Sequence, residues 1–124
     1  MGKIRSLRHT STLALRQRKA HLLRSFKLPA DLLHASLIER FLKCGKPTCH
    51  CHAGGPKHGP FSYLNRCFGK GQLQSLLLKS ANQIDQSRQG LAAYAQAQEI
   101  LDEISQINYE LLRRDEPLGE GLSR

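Results

Sequence analysis

The chain of 124 residues has few large apolar side chains from which a core could be built. It contains no tryptophan, three tyrosines and four phenylalanines, and its apolar fraction is 40%. A chain of this length forms one small domain, and a thin core leaves such a domain marginally stable.

Long apolar runs are also missing. None approaches the ~20 residues that a membrane helix needs, and the first residues lack the apolar region and small-residue cleavage site of a secretory signal. We therefore expect a cytoplasmic protein without membrane association.

Acidic residues are absent from two stretches of the chain. Residues 1–30 hold eight basic residues and no acid, and no Asp or Glu lies between Arg40 and Ile84. Residues 85–124, in contrast, hold eight acids and four bases. This distribution predicts an anionic partner for the basic part and packing or dimerisation for the acidic part.

Soft metal ligands are concentrated in one turn-rich segment. All four cysteines lie within 24 residues, and the loop from Gly45 to Pro60 holds four glycines and three prolines. In a reducing compartment, clustered cysteines indicate metal ligands in preference to disulfides or free thiols. Three thiolates and one imidazole form a standard tetrahedral set for Zn²⁺. We predict a structural zinc site whose ligands are Cys44, Cys49, Cys51 and His58.

Three further residues are alternative candidates for the ligand set. His50 and His52 flank the ligand cysteines, and either could replace His58 or extend the site; otherwise both are exposed. Cys67 lies in phase with the aromatic residues of a predicted strand. It is expected to be a small buried apolar residue, with a role as ligand as the lesser alternative.

Catalysis is not expected. A catalytic zinc keeps one position open for water and commonly has a carboxylate base nearby, but the acid-free stretch around the cysteines supplies none. The sequence also has no glycine-rich phosphate loop and no recognisable nucleophile with a base. We therefore predict that the protein is not an enzyme.

Hydrophobic spacing and turn residues predict an α+β fold. Its parts are a small antiparallel three-stranded sheet with a zinc-binding loop, a long C-terminal helix packed on the sheet, and a basic N-terminal helix. The predicted elements are a helix over 11–26, a strand over 36–43, a hairpin over 61–68 and 72–78, and a helix from Ser80 to about Arg114. We divide the chain into a basic helical arm (1–29), a zinc-binding domain (30–114) and a flexible tail (115–124).

The long helix carries a short heptad pattern. Its two core positions are occupied by Tyr94, Leu101 and Asn108, and by Ala97, Ile104 and Leu111. Because Ile100, Ile107 and Leu112 widen the stripe, we favour packing of this face on the sheet. A coiled-coil homodimer through residues 91–112 is the alternative.

The motifs support a resemblance to a family. Cys44-Gly45-Lys46-Pro47 with Cys49 and Cys51, followed by the segment from His58 to Leu64, resembles a bacterial domain family of unknown function. Its typical pattern reads CGKPxCxC and then HGPYYYL. The resemblance covers residues 36–114 and leaves the basic arm outside. Members are often encoded near mobile elements, which implies a connection to DNA transactions.

We predict that the protein binds nucleic acid, with DNA favoured, because clustered cations neutralise phosphates and release counterions. The candidate contacts are Arg16, Arg18, Lys19, Lys43, Lys46, Lys57, Arg66 and Lys70. The alternative is a zinc-stapled protein-interaction or dimerisation module that uses the C-terminal helix.

Overall fold

A computed structural model of the protein describes residues 6–67 and 69–119. Its elements are helix α1 (Thr12–Ser25), strand β1 (Ser36–Leu42), a 3₁₀ turn (His50–Ala53), strands β2 (His58–Cys67) and β3 (Leu73–Leu78), and helix α2 (Ala81–Arg113). The three strands form one antiparallel sheet. The predicted α+β fold is confirmed.

The chain forms two compact units. The helical unit comprises Met1–Ala30 and Ala95–Arg124, and the sheet unit comprises Asp31–Tyr94. Of the predicted arm and tail, residues 1–5 and 120–124 lie outside the described residues. The described part of the tail accepts two hydrogen bonds from α1, since Arg16 donates to the carbonyl of Pro117 and Lys19 to that of Leu118.

Ser11 is the N-cap of helix α1. Ser11 is extended, and its hydroxyl accepts a hydrogen bond from the backbone N–H of Ala14 at 3.0 Å. This satisfies one of the amide groups that a helix start leaves without a partner. The helix buries Leu15 and Leu22.

The core of the helical unit lies between α1 and the second half of α2. Leu15 and Leu22 form a buried cluster with Ile107 and Leu111 of α2. Ile100 and Ile104 pack against this cluster. The prediction that this face of α2 packs on the sheet is therefore wrong for Ile107 and Leu111, because leucines of α1 cover it.

The sheet has the order β1-β2-β3 and a regular register on most of its length. Leu64 of β2 lies opposite Leu37 on one side and Leu76 on the other. The register of β1 and β2 shifts between Arg40 and Leu42, which marks an irregularity just before the cysteine-rich loop.

Helix α2 starts at Ser80, as its sequence predicts. The Ser80 hydroxyl accepts from the N–H of Gln83, and the Gln83 side chain in turn accepts from the N–H of Lys79. This is a variant of the capping box in which the return bond reaches one residue earlier. Despite Gly90, α2 is one helix of 33 residues.

Candidate metal centre and basic surface

The candidate metal centre lies at the end of the β1-β2 pair where the loop joins the two strands. Leu42 is paired with His58, so the strands hold the two ends of the intervening loop side by side. Cys44 follows β1 by two residues, and His58 is the first residue of β2. Antiparallel pairing thus brings together the two ligand positions that are furthest apart in the sequence.

Two turns inside the loop place the remaining cysteines. The N–H of Cys49 donates to the carbonyl of Lys46, and the N–H of His52 donates to the carbonyl of Cys49, both at 3.0 Å. The 3₁₀ turn after Cys49 points Cys51 inward, where 1% of its surface is exposed. The loop is therefore folded around its cysteines by its own backbone bonds.

The four predicted ligands form one group that can hold a metal ion. The sulfurs of Cys44, Cys49 and Cys51 and a ring nitrogen of His58 all lie within 4.8 Å of one another. The Cys44 and Cys51 sulfurs are 3.7 Å apart, and the Cys49 sulfur is 3.3 Å from Nε2 of His58. Two thiolates bound at ~2.3 Å in a tetrahedron lie about 3.8 Å apart. The donor spacing therefore fits a tetrahedral site.

Hydrogen bonds from a backbone amide and a neighbouring histidine contact the candidate ligands. The N–H of Cys44 donates to the sulfur of Cys51 at 3.5 Å. The Nε2 atom of His52 lies 2.6 Å from the carbonyl oxygen of Cys44. Such secondary contacts orient metal ligands. Sequence analysis missed this role of His52, because the bond depends on the fold of the loop and has no motif.

The other candidate ligands lie outside the group. His50 approaches Cys49 only at 3.9 Å, and its ring centre is 6.2 Å from that of His58. Cys67 ends β2, at the opposite end from His58, and donates to the carbonyl of Gly69. It is exposed, so the prediction of a buried Cys67 is wrong. Strand alternation gives the face of a side chain, but an end position beside a turn leaves that face uncovered.

The local electrostatics favour a thiolate at Cys49. Its pKa is lowered to about 6, first by a backbone hydrogen bond from Cys51 and then by the hydrogen bond with His58. Thiolate is the form of cysteine that ligates metals.

Five of the eight predicted nucleic-acid contacts belong to the sheet unit. All five side chains are exposed, and they lie on the metal loop, at the end of β2 and in the β2-β3 turn. We call this set the basic surface, and its residues are Lys43, Lys46, Lys57, Arg66 and Lys70. The sequence between Arg40 and Ile84, which contains all five, has no Asp or Glu.

The other three predicted contacts bind groups of the chain itself. Arg16 forms an ion pair with Glu116 at 2.9 Å, and Arg18 makes a two-pronged contact with Glu103. Lys19 is buried, with 4% of its surface exposed, and donates to the side chain of Asn108 at 2.8 Å. These three side chains form hydrogen bonds and ion pairs within the helical unit. Their spacing in the sequence alone could not show those partners.

The comparisons with known proteins place this loop within a recognised domain. Residues 13–80 match the family described as "Domain of unknown function (DUF6788)". The chain belongs to the DUF6788 family. The matched part begins inside α1, earlier than the range of the motif resemblance, and ends where α2 begins. The metal centre of this DUF6788 chain lies wholly within it.

Neither the curated proteins nor the solved structures include a match to this DUF6788 chain. In the part of the chain that the structure describes, α1 and α2 are both too short or too polar to cross a membrane.

Proposed function

We propose that the protein is a small structural-zinc protein that binds DNA through the basic surface. The observation that carries this proposal is the combination of five exposed cations with an uninterrupted lack of acids, on a segment folded around a Cys₃His group. The described loop and hairpin therefore present positive charge alone to a partner.

Zinc is the metal that suits this donor set. Thiolate and imidazole ligands in a tetrahedral arrangement select Zn²⁺, and four protein ligands fill its coordination shell in structural sites. Such a site leaves no position for a water nucleophile. We therefore assign the metal a structural role and propose no catalytic activity.

The metal would fix the basic surface for binding. Lys46 lies between two ligands, and Lys43 and Lys57 each lie next to one, so the ion holds their backbone in place. Cations on a fixed loop bind phosphates with a smaller loss of conformational entropy than cations on a mobile loop. Arg66 and Lys70 would add phosphate contacts at the end of the sheet formed by the β2-β3 turn.

The motif resemblance favours DNA over RNA as the partner. The family that it indicates is often encoded near mobile elements, whose transactions take place on DNA. An accessory role to such an element is the process that we propose.

The experiment measures binding of zinc-loaded full-length protein to a labelled DNA duplex across a salt series. We compare the wild type with the triple variant Lys43→Gln, Lys46→Gln, Lys57→Gln. Loss of three phosphate contacts should weaken binding and reduce the slope of log K against log salt by about 0.9 per contact, up to about 2.7.

A matched control removes three exposed charges from the helical unit, by Arg8→Gln, Arg24→Gln and Lys27→Gln. It should keep most of the wild-type slope. Equal losses in the two triple variants would show that net charge alone drives binding. Absence of salt-sensitive binding by the wild type would refute DNA binding, and the zinc-stapled interaction module would become the better explanation.

A further inference from the structure

Helix α2 carries an exposed apolar stripe in the helical unit. Leu101 is 53% exposed, Tyr109 74% and Leu112 64%. The small residue Ser105 is exposed between them. At about 100° per residue, Ser105 and Leu112 lie within roughly 40° of Leu101 around the helix, and Tyr109 lies about 80° from it. We call these four residues the α2 stripe.

The α2 stripe differs from the heptad seam that the sequence suggests. Ile104 and Leu111, which occupy one position of that seam, pack in the core with α1. Asn108, at the other position, accepts a hydrogen bond from Lys19. A coiled coil through the seam would have to displace α1, whereas the α2 stripe is exposed with α1 in place.

Charges beside the α2 stripe are polarised along the helix. Asp102 lies near its N-terminal end and Arg113 near its C-terminal end, about 100° and 120° from Leu101 and thus on the same flank. In a parallel two-fold pair each flank faces the opposite flank of the other helix, so Asp102 and Arg113 of the two copies would not meet. An antiparallel pair sets opposite charges together, which favours that orientation.

We propose that the α2 stripe binds the α2 stripe of a second copy of this chain in an antiparallel two-fold dimer. A two-fold axis beside residue 107 places Leu101 next to Leu112 of the other copy, within about 3 Å along the helix axis. The same axis places Asp102 beside Arg113 of the other copy. The three large side chains cover a narrow strip at the low end of interface sizes, so the dimer should be weak and concentration-dependent.

The first test is the mass of zinc-loaded full-length protein in solution, measured by sedimentation equilibrium over a concentration series. The wild type should show a monomer–dimer equilibrium. The double variant Leu101→Glu, Leu112→Glu should be a monomer over the same range. The matched control Leu13→Glu changes a leucine that is 66% exposed and lies on the side of α1 away from Leu15, so it should dimerise like the wild type.

The second test is a charge-reversal cycle. Asp102→Arg alone should weaken the dimer by roughly tenfold, because it opposes like charges twice across the two-fold axis. Arg113→Glu should weaken it as well, but it also removes the ion pair between Arg113 and Glu110 within the chain, so Asp102→Arg is the cleaner single variant. The two changes together should restore dimerisation. Eleven residues of helix separate the two positions by about 16 Å within one chain, so rescue must come from contacts between copies.

Circular dichroism of every variant checks that the helices are intact. A wild type that stays monomeric at all concentrations overturns the proposal, and so does a dimer that survives both glutamates. A dimer that the glutamates abolish but that the charge-reversal pair does not rescue overturns the antiparallel arrangement.

Discussion

Gly90 allows the segment before β1 to lie directly against α2. Its carbonyl accepts a hydrogen bond from the N–H of Leu33 at 3.0 Å. A Cβ atom at this position would lie 2.5 Å from the carbonyl oxygen of Asp31 and 2.8 Å from the Leu33 side chain. The absence of a side chain is thus a requirement of packing, not an interruption of the helix.

We predict that Gly90→Ala destabilises the protein. Alanine in a helix is ordinarily favoured over glycine by about 1 kcal/mol, but the added methyl group would collide with backbone. Overpacking of this kind typically costs about 1–3 kcal/mol, so the loss should exceed the gain. Urea denaturation measures the difference. The exposed neighbour Gln89→Ala serves as the control and should stay within about 0.5 kcal/mol of the wild type. A more stable Gly90→Ala would contradict this packing.

Glu110 lies at the centre of a network of arginines in the helical unit. It is 6% exposed and accepts hydrogen bonds from Arg113 and Arg114. Arg114 also donates to the carbonyls of Leu7 and Thr10, which precede α1. The hydrogen bonds from Arg113 and then Arg114 lower the pKa of Glu110 from 4.5 to about 2.

This lowered pKa predicts a pH-dependent stability. A carboxyl group that is more acidic in the folded state stabilises the protein above pH 4.5, and the contribution is lost as the pH falls from 4.5 through about 2. Glu110→Gln should therefore be less stable than the wild type at neutral pH, and the difference should shrink over that interval. Thermal unfolding of both proteins, each measured without metal so that ligand protonation is shared, tests this. A difference that is independent of pH would show that the charge of Glu110 does not contribute.

The β1-β2 loop carries the four candidate metal ligands and little else that could hold it together. Of its four ligands, only Cys51 is buried; the other three are half-buried, and the loop contributes no large apolar side chain to a core. Its short backbone bonds fold it locally, but a structural zinc would supply most of its stability. We therefore expect the loop to be the element most sensitive to metal.

We predict that a chelator, or Cys51→Ser, raises amide hydrogen exchange in the loop and at the adjoining ends of β1 and β2. Loss of one ligand leaves the metal with an incomplete tetrahedral shell and weaker binding. The hydrogen-bonded turns of the loop should then open more often. The amides of α1 serve as the internal control, because α1 contains no ligand. Native mass spectrometry of the wild type should show one zinc per chain. Exchange that is unchanged after metal removal would mean that the loop is stable without an ion.

At the scale of the whole molecule, the basic residues behind the net charge of +9 have different surroundings in the two units. In the helical unit, Arg16 and Arg18 pair with Glu116 and Glu103. In the sheet unit, the basic surface lies on a segment that has no Asp or Glu between Arg40 and Ile84. Removal of the first 29 residues would not isolate a DNA-binding domain, because it would also remove Leu15 and Leu22 from the core with α2. Substitution of charges in the full chain is the cleaner test.

Local chemistry explains which features could be predicted. The hydroxyl of Ser80 marks a helix start because a cap bonds to an amide only three residues away. The cysteine-rich segment predicts the metal loop because the ligand residues and the turn-forming glycines and prolines occur in the same short stretch of sequence. The partners of Lys19 and Arg18 could not be predicted, since 89 and 85 residues separate the atoms that meet.

By itself, the sequence determined the elements, the residues of the candidate metal group and the acid-free stretch, because each depends on residues that are neighbours in the chain. Only the tertiary structure decided that α1 covers Ile107 and Leu111, that Gly90 receives the backbone of Asp31, and that Lys19 is buried. The physical reason is that burial and pairing depend on which distant surfaces meet. The spacing of apolar residues along the chain determines only which face of each helix or strand is apolar.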